Sequence, residues 1–198
     1  MKKTVFIPAL LLLLIIVHCG KSDSDRQSAE SDQSALMITS PAFAEGETIP
    51  VQYTCDSVDV SPPLVFANIP DGAKSLALIC DDPDAPVGNW VHWVMFNIPP
   101  DMGQLPEDFG TSDWHVKIID STVAPIIHGM TDFGRCGYGG PCPPPGKPHR
   151  YYFKLYALET VLVFDDNAID KGVTKEALLD KMSGHILEDA SLMGKYGR

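Results

Sequence analysis

The chain has 198 residues, 44% of them apolar and 21% charged, a balance typical of a globular protein with one sizeable core. Its formal charge of −11 is unsuited to neutralising nucleic-acid phosphates, so we expect no nucleic-acid partner. The five cysteines include no Cys-x-x-Cys pair, which excludes the spacing of a zinc finger.

The N-terminus, MKKTVFIPALLLLLIIVHC, joins a basic pair to an apolar run over residues 5–17. This run is shorter than the about 20 residues that a helix needs to cross a bilayer, so the pattern predicts a secretory signal over residues 1–18. Cys19 and the polar tract GKSDSDRQSAESDQSA follow directly. The arrangement resembles a bacterial lipoprotein signal, in which this cysteine is diacylated, although His18 replaces the usual small residue before it.

Residues 19–35 contain many serines and no large apolar side chain, so they are predicted to form a disordered tether with a reach of about 20–24 Å. The resemblance implies that a lipid on Cys19 holds a folded domain, residues 36–198, at the membrane. We therefore expect a lipid-anchored protein of the bacterial cell envelope, on its periplasmic or extracellular side. A plain secretory signal or an uncleaved anchor remains the alternative.

From residue 36 onward, short β-favouring runs alternate with clusters of Pro, Gly and Asp. The predicted strands are 36–39, 49–53, 76–80, 90–98, 115–119 and 151–158. The run 90–98 is apolar on both faces, which predicts a central strand buried on both sides. Many short strands with turn signals between them indicate a mainly β fold, an antiparallel sandwich or barrel.

The last quarter of the chain changes to a helical period. In VTKEALLDKMSGHILEDASLMGKYG, Leu178, Met182 and Ile186 follow helical spacing, and Thr174 suits an N-cap. We expect Gly184 to separate two helices that lay an apolar stripe on the sheet.

The stretch LALICDDPDAPVGNWVHWVMFNIP, residues 76–99, places acids and a histidine around one tight connection. Asp81 is interpreted as a solvated charge, and Asp84, between two prolines, as a cap of its own turn. Asp82 and His92 either belong to local turn chemistry or line a site.

A second dense stretch, GRCGYGGPCPPPGKPHRYYFKLYAL, covers residues 134–158. Its glycines let a ligand approach the backbone, and its prolines limit the entropy lost in holding one shape. The loop is either a binding loop or a stiffened connection. We expect Arg150 to form a structural ion pair, and His128 and His185 to lie on the surface.

An exported chain would expose its cysteines to an oxidising compartment. Cys142 can pair with Cys136 or with Cys55, and the sequence leaves the choice open. Cys80, inside an apolar run, is expected to be a buried free thiol.

Five segments together resemble one known family: YTCDSVDVSPPL (53–64), DDPDAP (81–86), NWVHWVMFNIP (89–99), YGGPCPPPGKPHRYYFKLYAL (138–158) and HILEDASLMGKYGR (185–198). They are similar to the signature regions of the phosphatidylethanolamine-binding protein family, in particular its bacterial Raf-kinase-inhibitor-like branch. Two departures are local. Residues 103–128 lack the usual glycine-rich pattern, and Thr131 replaces the Asn that commonly precedes Asp-Phe-Gly.

The resemblance implies a Greek-key antiparallel β-sandwich with helices near the C-terminus and a small anion pocket at one end. The residues that match the family's pocket positions are Asp82, His92, His149, Trp90, Pro86, Tyr138, Gly140 and Tyr151. Two histidines and glycine-rich backbone N–H groups can hold an anion without Lys. A carboxylate beside them suits a zwitterion such as phosphoethanolamine better than inorganic phosphate.

We therefore expect a non-enzymatic binding protein, without cofactor or metal, for a small phosphorylated or zwitterionic ligand. One alternative is a protein-interaction or protease- or kinase-inhibitory module that uses a surface loop such as residues 103–114, with a partner that the sequence does not identify. Another is a phosphoester hydrolase that uses His92 and His149. Two histidines and Asp82 also match the ligand types of a facial metal triad.

Overall fold

The computed structural model describes Met1 and residues 35–110, 116–118 and 124–198. The predicted signal, Cys19 and nearly all of the tether therefore lie outside the described residues. From residue 35 onward, the described residues belong to one compact unit, Gln33–Arg198. Within these ranges, no helix is long and apolar enough to cross a membrane.

Two antiparallel sheets form the fold, which confirms the prediction of a mainly β sandwich. The smaller sheet has the order β1 (Met37–Thr39), β2 (Leu64–Ala67) and β5 (Gln104–Leu105). The larger sheet has the order β6 (Val116–Lys117), β7 (Ile126–His128), β4 (Trp90–Ile98), β3 (Ser75–Asp82), β8 (His149–Leu158) and β9 (Ile186–Tyr196). Two helices, α1 (Asp166–Lys171) and α2 (Lys175–Met182), lie between β8 and β9 in the chain.

The central strands β3 and β4 are apolar on both faces because both faces are covered. On the inner face, Leu78 and Met95 pack into the main core together with residues of the smaller sheet. On the outer face, Ile79 and Val94 pack with Leu178 of α2 in a second core. The prediction of a central strand over residues 90–98, buried on both sides, is confirmed.

The C-terminal region is half helix and half strand. Thr174 caps α2 as predicted, because its Oγ1 accepts a hydrogen bond from the N–H of Ala177 at 3.3 Å. The second predicted helix is wrong, since Ile186–Tyr196 is β9 and pairs with β8 along its length. Pairing with an otherwise open edge strand outweighed a weak helical pattern. Likewise, Val51–Tyr53 forms a 3₁₀ turn and not the predicted strand.

Two further predictions about single residues are wrong. Asp81 is buried, and its carboxylate forms ion pairs with Lys154 at 2.8 Å and with Lys175 at 2.5 Å. Burial alone would raise the pKa of Asp81, but the hydrogen bonds from both lysines and from Asn89 outweigh it, so that the pKa is lowered. His128 is fully buried on β7 instead of lying on the surface, whereas His185 is exposed as predicted.

Candidate functional site

A β-bulge at the start of β4 sets the direction of the His92 side chain. Cys80 pairs with Trp93, but the next residue of β3, Asp81, pairs with Val91, so His92 is an extra residue in β4. In a regular strand, the His92 side chain would lie under the helices on the face of Val94. Val91 takes that place in the outer core instead. A bulge of this kind re-aims a side chain, and here it directs His92 away from the helices.

The His92 ring is held by a backbone carbonyl. Its Nδ1 donates a hydrogen bond to the oxygen of Gly139 at 2.6 Å, while the carbonyl of His92 accepts one from the N–H of Gly139 at 2.9 Å. The ring is buried, with 3% of the residue exposed. Desolvation lowers the pKa of His92, although Gly139 and the charge of Asp82 partly oppose the shift. The neutral ring therefore carries its proton on Nδ1 and leaves Nε2 as an acceptor.

Asp82 and His149 form a buried pair from two neighbouring strands. Asp82 ends β3 and His149 begins β8, and His149 Nδ1 donates to Asp82 Oδ2 at 2.7 Å. The other carboxylate oxygen, Oδ1, accepts from the N–H of Asp84 at 2.8 Å. Both oxygens of Asp82 thus have protein partners, and the carboxylate orients the imidazole of His149.

Asp82, and not Asp84, caps the turn between β3 and β4. Asp84, predicted to cap its own turn, instead accepts two hydrogen bonds from the Arg150 guanidinium, at 2.6 and 2.8 Å. These hydrogen bonds lower the pKa of Asp84 to about 2. The expected structural ion pair of Arg150 is confirmed, and it fastens the turn to the start of β8 beside the histidine.

A cavity of about 280 Å³ opens beside this pair. Its lining consists of Asp82, Ala85, Pro86, Val87, Trp90, His92, Phe133, Cys142, Pro143, Pro144, His149 and Tyr151. The volume is slightly below the roughly 300–1,000 Å³ that is usual for drug-sized ligands, so the cavity fits a small group. Among its lining residues, the two histidines and Asp82 supply the ionisable groups, together with the Tyr151 phenol.

Aromatic rings form one wall of the cavity. The His92 ring meets Phe133 and Tyr151 edge to face, with centroids 5.3 and 5.1 Å apart, and Trp90 meets Phe133 at 5.5 Å. Among the described residues, the buried Tyr151 hydroxyl makes no hydrogen bond of standard geometry, although it lies near the carboxylate of Asp82. Desolvation and the charge of Asp82 raise the pKa of Tyr151, so the phenol stays protonated and can donate.

The structure brings six of the eight predicted pocket residues to this cavity: Asp82, Pro86, Trp90, His92, His149 and Tyr151. Tyr138 and Gly140 lie behind its wall. The Tyr138 hydroxyl donates to the carbonyl of Tyr53 at 2.8 Å, and the Gly140 N–H donates to Asp59 Oδ1 at 2.8 Å.

Phe133 is the principal residue that sequence reasoning missed. It belongs to the Asp-Phe-Gly segment, and the neighbouring Asp132 accepts a hydrogen bond from the N–H of Val91 at 2.7 Å. That contact ties the segment to the bulged start of β4. The Asp-Phe-Gly motif could have indicated this role, because an aromatic side chain in a short turn needs a surface to pack against.

One disulfide, Cys55–Cys142, fastens the loop that carries the other wall. It decides between the two pairings that the sequence left open. Cys136 is a buried free thiol, and Cys80 is also buried and free as predicted. Among the described residues, no group of three or more His, Cys, Asp or Glu side chains is arranged to hold a metal ion.

Two kinds of comparison, with related sequences and with solved structures, show which proteins this chain resembles. The chain is 48% identical over 163 residues to a UPF0098 protein of Methanothermobacter thermautotrophicus, a match that covers 82% of this chain and 99% of the relative. It is 38% identical over 193 residues to a UPF0098 protein of Pyrococcus horikoshii, covering 97% of this chain and 89% of the relative.

Two crystal structures are similar in both fold and sequence. A phosphatidylethanolamine-binding protein homolog from Chlamydia trachomatis matches with a TM-score of 0.70 and 41% identity over 83% of this chain and 98% of its own. E. coli YbcL, described as a member of the mammalian PEBP family, matches with a TM-score of 0.72 and 30% identity over 83% and 99%. The family model for phosphatidylethanolamine-binding protein matches residues 39–197. The chain therefore belongs to the phosphatidylethanolamine-binding protein family.

Proposed function

We propose that the cavity binds a small phosphorylated or zwitterionic group, of which phosphoethanolamine is the representative, and releases it unchanged. The observation that carries this proposal is the pair of imidazoles at the cavity. The Nδ1 atoms of His92 and His149 are each bonded to a protein acceptor, at 2.6 and 2.7 Å, which leaves Nε2 of each ring for a ligand.

The two rings complement each other chemically. Neutral His92 accepts a hydrogen bond at Nε2, from a phosphate hydroxyl or from an ammonium group. His149 donates from Nε2 when it is protonated, and the carboxylate of Asp82 balances that charge. A ligand that carries both an acidic phosphate and an ammonium group matches this set better than a fully ionised phosphate.

Asp82 is compatible with an anionic ligand because its charge is already engaged. One oxygen accepts from His149 and the other from the backbone of Asp84. A carboxylate at such a site can either orient a histidine or meet the ammonium group of a zwitterion. The contacts support the first role, since Asp82 is only 3% exposed and both of its oxygens are occupied.

A binding role fits the lining better than hydrolysis does. The cavity wall is largely apolar and aromatic, and its one cysteine is tied into a disulfide. Within the described lining, no serine, threonine or free thiol stands beside the imidazoles as a nucleophile. This proposal therefore assigns the histidines to recognition.

We place the binding domain at the cell envelope, held by a lipid on Cys19. The family match begins at residue 39, so the signal-like segment and the tether precede the conserved domain. A ligand related to a phospholipid headgroup fits a protein that is held at a membrane surface.

The test is an NMR titration of the purified protein with phosphoethanolamine at pH 6 and pH 8. We expect saturable shifts at His92 and His149, lost in His149→Gln and weakened about tenfold in Asp82→Asn, since the oriented imidazole is then gone. His185→Gln is the matched control, because His185 is exposed and bonded to Glu159 away from the cavity. A parallel assay measures phosphate release.

The outcomes distinguish a binding protein from an enzyme and from a protein-interaction module. Binding without phosphate release supports the proposal. Phosphate release that His149→Gln abolishes would show an enzyme. The absence of binding in folded wild-type protein would remove phosphoethanolamine as a ligand and direct the search to a protein partner of the surface loops.

A further inference from the structure

The disulfide Cys55–Cys142 lies at the rim of the cavity and not in the core. Cys142 lines the cavity together with Pro143 and Pro144, and both cysteines are exposed. Neither of them belongs to the two hydrophobic cores. A reductant can therefore reach this bond without unfolding the sandwich.

Apart from the disulfide, few hydrogen bonds hold the cavity wall formed by residues 142–145. Residues 143–145 are three consecutive prolines, which have no N–H to donate. Among the described residues, the backbone contacts lie on either side of the wall. The Cys55 N–H donates to the carbonyl of Pro141, and the Gly146 N–H donates to the carbonyl of Arg198, each at 3.2 Å. No hydrogen bond between described residues joins the backbone of residues 142–145 to the rest of the protein, so the disulfide and the packing of buried Pro143 hold this segment.

A cation stands next to one sulfur atom. Arg198 Nη1 lies 3.9 Å from Cys142 Sγ, and Arg198 Nη2 is held 3.1 Å from Asp56 Oδ1. Asp56 is itself fixed by the Tyr196 hydroxyl at 2.7 Å. A guanidinium in this position stabilises a thiolate on Cys142, which makes Cys142 the better leaving group in thiol–disulfide exchange.

We propose that Cys55–Cys142 is a redox-sensitive latch, whose reduction by an external dithiol loosens the cavity wall and weakens ligand binding. A thiolate of the dithiol attacks Cys55 Sγ, the Cys55–Cys142 bond breaks, and Cys142 leaves as a thiolate beside Arg198. The second thiol of the reductant, as its thiolate, then attacks the mixed disulfide and releases Cys55. The reductant leaves as a disulfide, so two electrons pass to the protein and each released thiolate takes up a proton.

The latch rests on the proposed function only for its effect on affinity. A wall that is no longer fixed must be ordered by the ligand, and this ordering weakens binding. By linkage, a ligand that binds the latched form more tightly also protects the disulfide from reduction. Loosening of the wall itself does not depend on which ligand binds.

The experiment compares the full-length protein before and after treatment with dithiothreitol. Thiol labelling with mass spectrometry follows cleavage at Cys55 and Cys142, and amide exchange follows Cys55 and Gly146, whose hydrogen-bonded N–H groups flank the wall. We expect cleavage without denaturant, faster exchange on the wall only, and phosphoethanolamine affinity lower by about three- to tenfold. Arg198→Gln should slow cleavage by about two- to fivefold. Cys55→Ser is the matched control, because dithiothreitol should then change neither affinity nor exchange.

The outcomes distinguish failure of the proposed redox latch from failure of the proposed ligand. If neither form binds phosphoethanolamine, the proposed ligand is wrong, and wall exchange alone decides the latch. Unchanged exchange at Cys55 and Gly146 after complete reduction overturns the latch. So does a disulfide that resists dithiothreitol until denaturant is added, or a loss of protection throughout β3, β4 and β8. Where phosphoethanolamine binds, equal affinity of the oxidised and reduced forms also overturns it.

Discussion

At the scale of single residues, the site depends on where protons are held. His92 is buried and donates from Nδ1 to Gly139, whereas His149 donates from Nδ1 to the carboxylate of Asp82. The same residue type thus meets a neutral acceptor at one position and an anion at the other. This difference gives the cavity two imidazoles with different chemistry, which two surface histidines would not provide.

We predict that His92 titrates below its ordinary pKa of 6.5 and that its neutral form is the Nδ1–H tautomer. Burial disfavours the imidazolium, so the unfolded chain binds a proton more readily than the folded protein does. His92 therefore makes the protein less stable as pH falls below 6.5. Imidazole ¹⁵N shifts recorded against pH check both statements, with exposed His185 as the internal reference. A midpoint above 6.5, or a proton on Nε2, would contradict them.

Several residue roles could be anticipated from sequence, and others could not. That Asp82, His92 and His149 meet at one cavity could be anticipated, because they lie in motifs that resemble the family's signature regions. The burial of Asp81 could not be anticipated, because it depends on Lys175, a residue that only the packing of α2 brings near. The bulge that directs His92 was also invisible, since it is a property of the register between β3 and β4.

At the scale of elements, the loop behind the cavity is built around two glycines with different neighbours. A Cβ on Gly140 would lie 2.4 Å from the carbonyl oxygen of Tyr53 and 2.3 Å from Asp59 Oδ1. A Cβ on Gly139 would lie 2.5 Å from the ring of Phe133, which is 40% exposed. Backbone is harder to displace than a partly exposed ring.

We therefore predict different effects of the two alanine substitutions. Gly140→Ala should lower the free energy of unfolding by about 2–4 kcal/mol, because the backbone must move. Gly139→Ala should cost about 1 kcal/mol but alter ligand affinity, because Phe133 moves in the cavity wall. Chemical denaturation and ligand titration of both variants check this. Equal losses of stability, with no change in affinity, would contradict it.

Asp81 provides a second prediction at the scale of elements, because its carboxylate joins β3 to β8 and α2 through ion pairs with Lys154 and Lys175. Its pKa is lowered, so its stabilising contribution is present above the ordinary value of 3.8 and is lost as pH falls below it. We predict that Asp81→Asn lowers the free energy of unfolding at pH 7 by about 1–3 kcal/mol, a range reduced because Lys154 is partly exposed.

Urea denaturation at pH 7 and pH 3 checks the Asp81 prediction. The difference in stability between wild type and Asp81→Asn should shrink at pH 3, because the wild-type carboxylate is then nearer to protonation. Asp71→Asn, at an exposed position, is the control and should stay within about 0.5 kcal/mol at both pH values. A difference that grows on acidification would contradict the lowered pKa.

The longest element that was predicted wrongly from the sequence is β9. Its apolar residues are compatible with a helix over one or two turns, and only the open edge of β8 makes the strand the better choice. The strands that are continuous apolar runs bounded by turn signals, such as β3 and β4, were predictable. Competition between a weak local pattern and a long-range pairing cannot be decided from a single stretch of residues.

At the scale of the whole molecule, the net charge and the proposed lipid anchor act in opposite directions. The chain carries a formal charge of −11, so an anionic membrane surface repels it. Two acyl chains on one cysteine are enough for stable attachment, whereas a single chain is marginal. Membrane association of this protein should therefore depend on the lipid and not on the folded domain.

We predict that the wild-type protein stays in the membrane fraction of a bacterial host at low and at high salt alike, and that Cys19→Ser abolishes both its acylation and the loss of residues 1–18. Insensitivity to salt is expected because a chain with a formal charge of −11 is not held at an anionic surface by electrostatic attraction. Intact-mass measurement of the wild type should show loss of residues 1–18 and a gain of acyl chains on Cys19. His18→Ala is the informative companion, since a small residue before the cysteine should speed this processing. Wild-type protein that stays in the membrane with residues 1–18 still attached and no acyl chain on Cys19 would instead identify an uncleaved anchor.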